Sequence, residues 1–271
     1  QKVERCRRVL EELAKSQVIY GINTGFGALS NITIPPADLE DLQLNLIRSH
    51  AAAVGPPLPT DVTRAMMLLR ANTLAKGLSG IRAETLETLI MMINSKVHPI
   101  IPERGSVGAS GDLAPLAHLA LVMIGEGVAE HQGRTMSGSQ ALRAASIEPV
   151  HLAAKEGLAL INGTQMMTAA GALMVHDAAR LVEYVKRSGA MALEVLGGLV
   201  EAFDDRLHQA RPHRGQVKTA QHMKELLRGS KLASSTEQRL RSGLHRQDPY
   251  SLRCIPQILG AAYDALEYAS R

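Results

Sequence analysis

The chain has 271 residues, a formal net charge of +4, 45% hydrophobic residues and 21% charged residues. That balance excludes a disordered chain and leaves enough length for a sizeable core. Aromatics make up only 3%, with no tryptophan, so bases have little to stack on, and a nucleic-acid partner is not expected.

Cys6 and Cys254 form neither a CxxC pair nor a zinc spacing, which fits a reduced, cytoplasmic compartment. The histidines, including His98, His118 and His151, show no metal-ligand spacing, and no metal site is read. The most apolar stretch, Leu113 to Ile124, contains Pro115 and His118 and falls short of the roughly 20 residues a bilayer requires. No membrane partner and no signal peptide are expected. The basic groups Arg5-Cys6-Arg7-Arg8 and Arg239, Arg241 and Arg246 read as solvated helix faces. The chain opens on Gln1 rather than Met, so its N-terminus is expected upstream.

Val3, Cys6, Leu10 and Leu13 recur at helical spacing and predict a first helix ending near Ser16. Val18 to Pro36 reads as a glycine-rich loop carrying Tyr20-Gly21-Ile22-Asn23-Thr24-Gly25-Phe26-Gly27. A second helix is expected from Ala37 to Val54, stopped by Gly55-Pro56-Pro57, and a third from an N-cap at Thr60 to a stop at Gly77. Leu86, Leu89, Ile90 and Ile93 mark a fourth.

Pro99 to Asp112 reads as a loop, after which Pro115 opens a helix to about Gly125. Val128 to Met136 predicts a hairpin around Gln132-Gly133, and a short helix follows Ser139. A long helix is expected from Thr164 to Arg187, with Met167, Gly171, Met174, Ala178, Leu181 and Val185 on one side. Further helices are expected over Ala190 to Phe203 and Val217 to Leu227, with a polar connection from Gly229 to Gln247. A final helix begins at Tyr250 and reaches Arg271 without a cap, as if the chain continued.

The most informative stretch is Gly105-Ser106-Val107-Gly108-Ala109-Ser110-Gly111-Asp112-Leu113-Ala114-Pro115. Composition alone permits a plain Gly/Ser connection. In a tight turn, however, the Gly111 amide nitrogen can attack the Ala109 carbonyl carbon, because glycine puts no side chain in the way. Loss of one water closes a five-membered ring, and loss of a second from Ser110 leaves an exocyclic methylidene. The result is an electrophile made from protein alone.

This segment resembles the cofactor-forming segment of the aromatic amino acid ammonia-lyases, most closely their histidine-acting members. Five more blocks agree with that family in order and spacing. They are Tyr20 to Gly27, Arg48-Ser49-His50-Ala51-Ala52, Lys155 to Gln165, Arg211 to Gln216 and Gln247-Asp248-Pro249-Tyr250-Ser251-Leu252-Arg253-Cys254. The resemblance implies an all-α, fumarase/aspartase-like fold. An N-terminal helical domain over 1–159 would be followed over 160–271 by the start of a long-helix bundle. It also implies a homotetramer in the full-length enzyme and a family chain about twice this length.

The implied reaction removes ammonia from an amino acid, giving urocanate where the substrate is histidine. The implied cofactor is 4-methylidene-imidazol-5-one, formed from Ala109-Ser110-Gly111 with no external cofactor. By the same resemblance Tyr20 is the base, Arg253 grips the substrate carboxylate, and Asn162, Gln247 and Tyr250 are polar site residues. Asp112 would aid formation of the electrophile or cap the following helix. Ser49-His50 stands where relatives acting on phenylalanine or tyrosine tend to carry Phe-Leu or His-Leu, and an imidazole is able to hydrogen-bond a substrate imidazole. The alternatives are a phenylalanine or tyrosine ammonia-lyase, an aminomutase with the same electrophile, and an inactive helical scaffold.

Overall fold

Apolar residues at helical spacing, with few aromatic or β-branched runs, give the chain its class. In the computed structural model, which describes residues 1–108, 111–243 and 247–271, 62% of residues are helical and 9% are in strands. The described residues divide into two compact units, Gln1–Gly171 and Ala172–Arg271.

The first unit contains α1 (Lys2–Ser16), α2 (Leu39–His50), α3 (Thr60–Ala75), α4 (Ala83–Asn94), α5 (Leu113–Met123), α6 (Gly138–Ala144), α7 (Glu156–Ile161) and the first turns of α8 (Gln165–Val195). Two small antiparallel sheets accompany them. β1 (Val54–Pro57) pairs with β3 (Pro102–Arg104), while β2 (His98–Pro99), β4 (Val128–His131) and β5 (Arg134–Ser137) lie in the order β2-β4-β5. The β4–β5 hairpin turns at Gln132-Gly133 as the sequence predicts.

Helix α5 is apolar all round and is buried accordingly, with Leu116, Ala117, Leu119, Ala120, Val122 and Met123 fully enclosed. Each large side chain removed from water there contributes about 1.5–3 kcal/mol. Ser137 and Gln140 form a capping box that starts α6.

Glu156, at the start of α7, ties this unit together. Its fully buried carboxylate accepts from the Arg82 backbone N–H (2.9 Å), Arg82 Nε and Nη2, Thr85 Oγ1 (2.6 Å) and the Ala153 N–H (2.8 Å). Burial favours the neutral acid, yet the hydrogen bonds from Arg82, Thr85 and Ala153 outweigh it and hold the group below the usual glutamate range. A depressed folded value means that the stabilisation is complete above the ordinary glutamate range and is lost as pH falls through the folded value. Glu156→Gln removes the buried charge facing Arg82, which keeps Glu84 and the His151 carbonyl as partners, and should cost about 1–3 kcal/mol. Thermal unfolding followed against pH should show a lower Tm near neutrality and a flatter acid limb.

The second unit holds the rest of α8, then α9 (Asp205–Gln209), α10 (Arg214–Leu226), α11 (Thr236–Ser242), α12 (Tyr250–Arg253) and α13 (Ile255–Ala269). Its smaller core comprises Ala190, Leu193, Phe203, Met223, Leu227, Leu252 and Ile255. Helices α10 and α13 approach most closely at Gly215 and Gly260, where a Cβ on either would run into the other's backbone.

Several expectations are corrected. Helix α2 ends at His50 rather than Val54, because Val54–Pro57 is extended and paired with β3. Thr60 is the first residue of α3, and Pro59 stands at its cap. Helix α8 runs through Ala190 to Val195, so the separate helix expected to reach Phe203 shrinks to a 3-10 turn, Val200–Phe203. The polar 229–247 connection contains α11, started by the capping box of Ser235 and Gln238.

Arg7 and Arg239, expected on solvated faces, are buried. Arg7 Nη1 donates to the carbonyls of Gly80 and Ala154, and Arg239 pairs with Asp248. Conversely, the α8 stripe Met167, Met174, Leu181 and Val185 is exposed, by 52, 69, 61 and 42%. Among the described residues, no helix is long and apolar enough to cross a membrane.

Candidate functional site

In the first unit the candidate site lies where the 105–115 segment meets the α7–α8 turn. Ala109 and Ser110 lie outside the described residues. Gly111 forms a parallel bridge with Gly163, and the Asp112 N–H donates to the Gly163 carbonyl at 2.9 Å. Gly111 has φ +72, and a Cβ there would stand 2.9 Å from Thr164 Cγ2 and 3.0 Å from the Gly163 carbonyl oxygen. Both backbone angle and space therefore require glycine at position 111.

Asp112 occupies the cap position of α5 but makes no capping bond there. Its fully buried carboxylate instead reaches the start of α8, where Oδ2 accepts from the N–H groups of Met166 (2.7 Å) and Met167 (3.0 Å). The side chain therefore does not cap the helix that follows it, as one reading expected; it caps α8 instead and holds the 111–113 segment to that helix. Its Oδ1 is buried with no partner among the described residues.

Arg70 lies beneath the same turn and was missed from the sequence. Its Nη1 donates to Gln165 Oε1 at 2.9 Å, and Nη2 donates to the Ala159 carbonyl. Burial pushes its pKa down to about 10. A Cβ on Gly163 would overlap both Gln165 Oε1 and Arg70 Nη1. The available signal was an arginine inside the apolar stripe Met66, Met67, Arg70, Ala71 and Leu74.

Asn162 follows α7 directly, is exposed, and makes no side-chain hydrogen bond among the described residues. It ends α7 through its backbone, leaving its amide free for a ligand. Tyr20 is 55% exposed and meets the Phe26 ring edge-on at 6.2 Å. Its loop is held by Asn23, which accepts from the Ile19 N–H (2.7 Å) and donates to the Gln17 carbonyl (2.8 Å). His50 closes α2, with Nδ1 2.8 Å from the Leu46 carbonyl and 3.1 Å from Ser49 Oγ. A carbonyl only accepts, so Nδ1 carries a proton, and Nε2 makes no hydrogen bond among the described residues.

In the second unit Gln247 and Arg253 line one cavity of about 320 Å³, together with Asp248, His208 and Cys254. Asp248 fixes this block: Oδ2 accepts from the Leu199 N–H at 2.6 Å, and Oδ1 lies 2.5 Å from Arg239 Nη2. Arg253 stacks over the Tyr250 ring at 4.5 Å and has no carboxylate partner among the described residues. Tyr250 is 70% exposed. The second unit thus brings Gln247, Tyr250 and Arg253 together, while the first places Gly111 beside the turn that carries Asn162.

The family profile for aromatic amino acid lyase matches residues 1–271. The chain belongs to the aromatic amino acid lyase family. It is 54% identical over 270 residues to the histidine ammonia-lyase of Alkaliphilus metalliredigens, covering 99% of this chain and 52% of that protein. It is 51% identical over 273 residues to that of Caldanaerobacter subterraneus, covering all of this chain and 53% of the relative.

Among solved structures, the Pantoea agglomerans phenylalanine aminomutase matches with a TM-score of 0.92 at 37% identity, over 99% of this chain and 54% of that one. The histidine ammonia-lyase of Trypanosoma cruzi matches at 0.86 and 40%, over 98% and 49%. The helical, fumarase-like fold is therefore shared with both activities. The chain spans about half the length of the curated relatives it matches.

Proposed function

We propose that the full-length protein eliminates ammonia from L-histidine to give urocanate, at an electrophile formed by Ala109-Ser110-Gly111. The observation that carries this reading is the glycine-only geometry of Gly111 against Gly163, with Asp112 anchoring the segment to α8. The described neighbours fit a cyclised tripeptide there: Gly111 has neither space nor angle for a side chain, and the buried Asp112 Oδ1 is unused.

The mature group supplies an amine-accepting centre that makes the ammonium a better leaving group. The chain's own residues do the rest. Arg253, free of any carboxylate among the described residues, grips the substrate carboxylate through a planar fork of donors. Tyr20 takes the β-proton, and Asn162, Gln247 and Tyr250 orient the amino acid. His50 accepts from the substrate imidazole N–H at Nε2, a contact for which the phenylalanine ring has no donor.

The reading also includes a cytoplasmic homotetramer. The exposed apolar stripe of α8 supports the association.

A substrate panel on the full-length enzyme tests the proposal. Histidine should be consumed with the appearance of urocanate absorbance, well ahead of phenylalanine and tyrosine. Turnover of tyrosine or phenylalanine without histidine would overturn the substrate assignment, and release of a β-amino acid would make the enzyme an aminomutase. Arg253→Lys keeps the charge but loses the two-pronged geometry, so KM for histidine should rise about tenfold or more, with a smaller change in kcat.

A further inference from the structure

Arg70 sits where an arginine is costly. It is 2% exposed, on the face of α3 that also buries Met66, Met67, Ala71 and Leu74. No carboxylate pairs with it among the described residues. A buried cation without an anion costs free energy that an apolar side chain of similar length would save. What the arginine supplies in return is a planar fork of donors.

That fork spans one turn of the chain. Nη2 donates to the carbonyl of Ala159, near the end of α7, where helix geometry leaves carbonyls without an intrahelical partner. Nη1 donates at 2.9 Å to Oε1 of Gln165, the first residue of α8. Thr73 Oγ1 accepts from Gln165 Nε2 at 3.4 Å. Residues three apart share a helix face, so one face of α3 grips the end of α7 and the start of α8. The 162–164 turn between them is held at both ends.

Gly163, in the middle of that turn, lies directly against the fork, since a Cβ on it would overlap Arg70 Nη1 and Gln165 Oε1. The same residue bridges Gly111, and its carbonyl accepts from the Asp112 N–H at 2.9 Å. The guanidinium is thus one residue removed from the 111–112 backbone. Asp112 Oδ2 and Arg70 both fix the start of α8, the one through the N–H groups of Met166 and Met167, the other through Gln165. The bond from Asp112 to Gly163 sets the register of 111–112 only as firmly as Gly163 is itself held.

We propose that Arg70 is a positioning residue for maturation: by bridging Ala159 to Gln165 against Gly163, it holds the turn on which the 111–112 backbone is registered while 109–111 cyclises. This rests on the proposal that 109–111 forms the electrophile.

The test is the mass of the tryptic peptide Gly105 to Arg134 from soluble full-length protein, wild type against variants. The wild-type peptide should be lighter by two waters. In Arg70→Met, which removes the donors without stranding a charge, the dehydrated share should fall about tenfold or more, because ångström-scale misplacement costs about a hundredfold in rate. Gln165→Leu removes one arm of the bridge and should lower the share as well. Met92→Ala empties a fully buried place on α4 in the same unit. It should lower Tm and leave the dehydrated share at the wild-type level.

An Arg70→Met peptide as fully dehydrated as the wild type's would overturn the proposal, as would an equal shortfall in Met92→Ala at the same Tm. Should Arg70→Met not fold, full dehydration in Gln165→Leu would overturn it equally. A wild-type peptide at its full sequence mass removes the electrophile, and this proposal with it. A dehydrated wild type beside equally dehydrated variants removes only the role of Arg70.

Discussion

Ser110→Ala in the full-length protein is expected to lower histidine turnover by about three orders of magnitude or more, as removal of a reacting group does. Alanine has no hydroxyl to leave, so the second dehydration cannot occur even if the ring closes. Substrate binding should survive, because Arg253 and Gln247 line a cavity of the second unit and Asp248 holds their block in place. The variant should therefore retain micromolar-to-millimolar affinity for histidine by calorimetry while failing to release urocanate. Wild-type turnover in Ser110→Ala would remove the electrophile from the account.

The second large effect is expected at Asp112, which follows the tripeptide proposed to form the electrophile. Its Oδ2 accepts two amide hydrogens at the start of α8 from full burial. Asp112→Ala leaves both donors unsatisfied, at about 1–3 kcal/mol. It also frees the segment proposed to cyclise, and loss of positioning on an ångström scale is worth about a hundredfold in rate. The variant should show a lower Tm and a sharply reduced matured fraction. Asp112→Asn, which keeps one oxygen as a cap acceptor, should fall between the two. A fully matured Asp112→Ala protein would show that the tether to α8 has no part in forming the electrophile.

Elements with strong local signals were legible in the sequence. The first helix, the hairpin at Gln132-Gly133 and the apolar helix opened by Pro115 all stand where spacing and turn chemistry put them. Helix α7 escaped because six residues buried on every side carry no helical period, and its first turn follows a left-handed lysine that no propensity favours. The strand Val54–Pro57 escaped because its Gly-Pro-Pro run reads as a stop signal; only its partner 102–104 makes it a strand. Helix α11 did carry a readable sign, Ser235 three residues before Gln238, hidden by its polar composition.

The site divides along the same line. Tyr20, His50, Asn162, Gln247, Tyr250 and Arg253 were recognisable as members of blocks resembling a family. What supports them was not recognisable, because it is built by contacts distant in sequence. Asp112 caps a helix that begins at Gln165, and Arg70 reaches across from α3 to the same turn. Arg239 looked like part of a basic surface run until its pairing with Asp248 showed it to be internal.

The central claim is that Ala109-Ser110-Gly111 matures by losing two waters, and peptide mass tests it most directly. Trypsin releases Gly105 to Arg134 as one peptide, since no lysine or arginine lies between Arg104 and Arg134. From the folded full-length protein, that peptide should be lighter than its sequence mass by two water molecules, with the loss mapped to residues 109–111. The same peptide at its full sequence mass, from enzyme that deaminates histidine, would contradict the account.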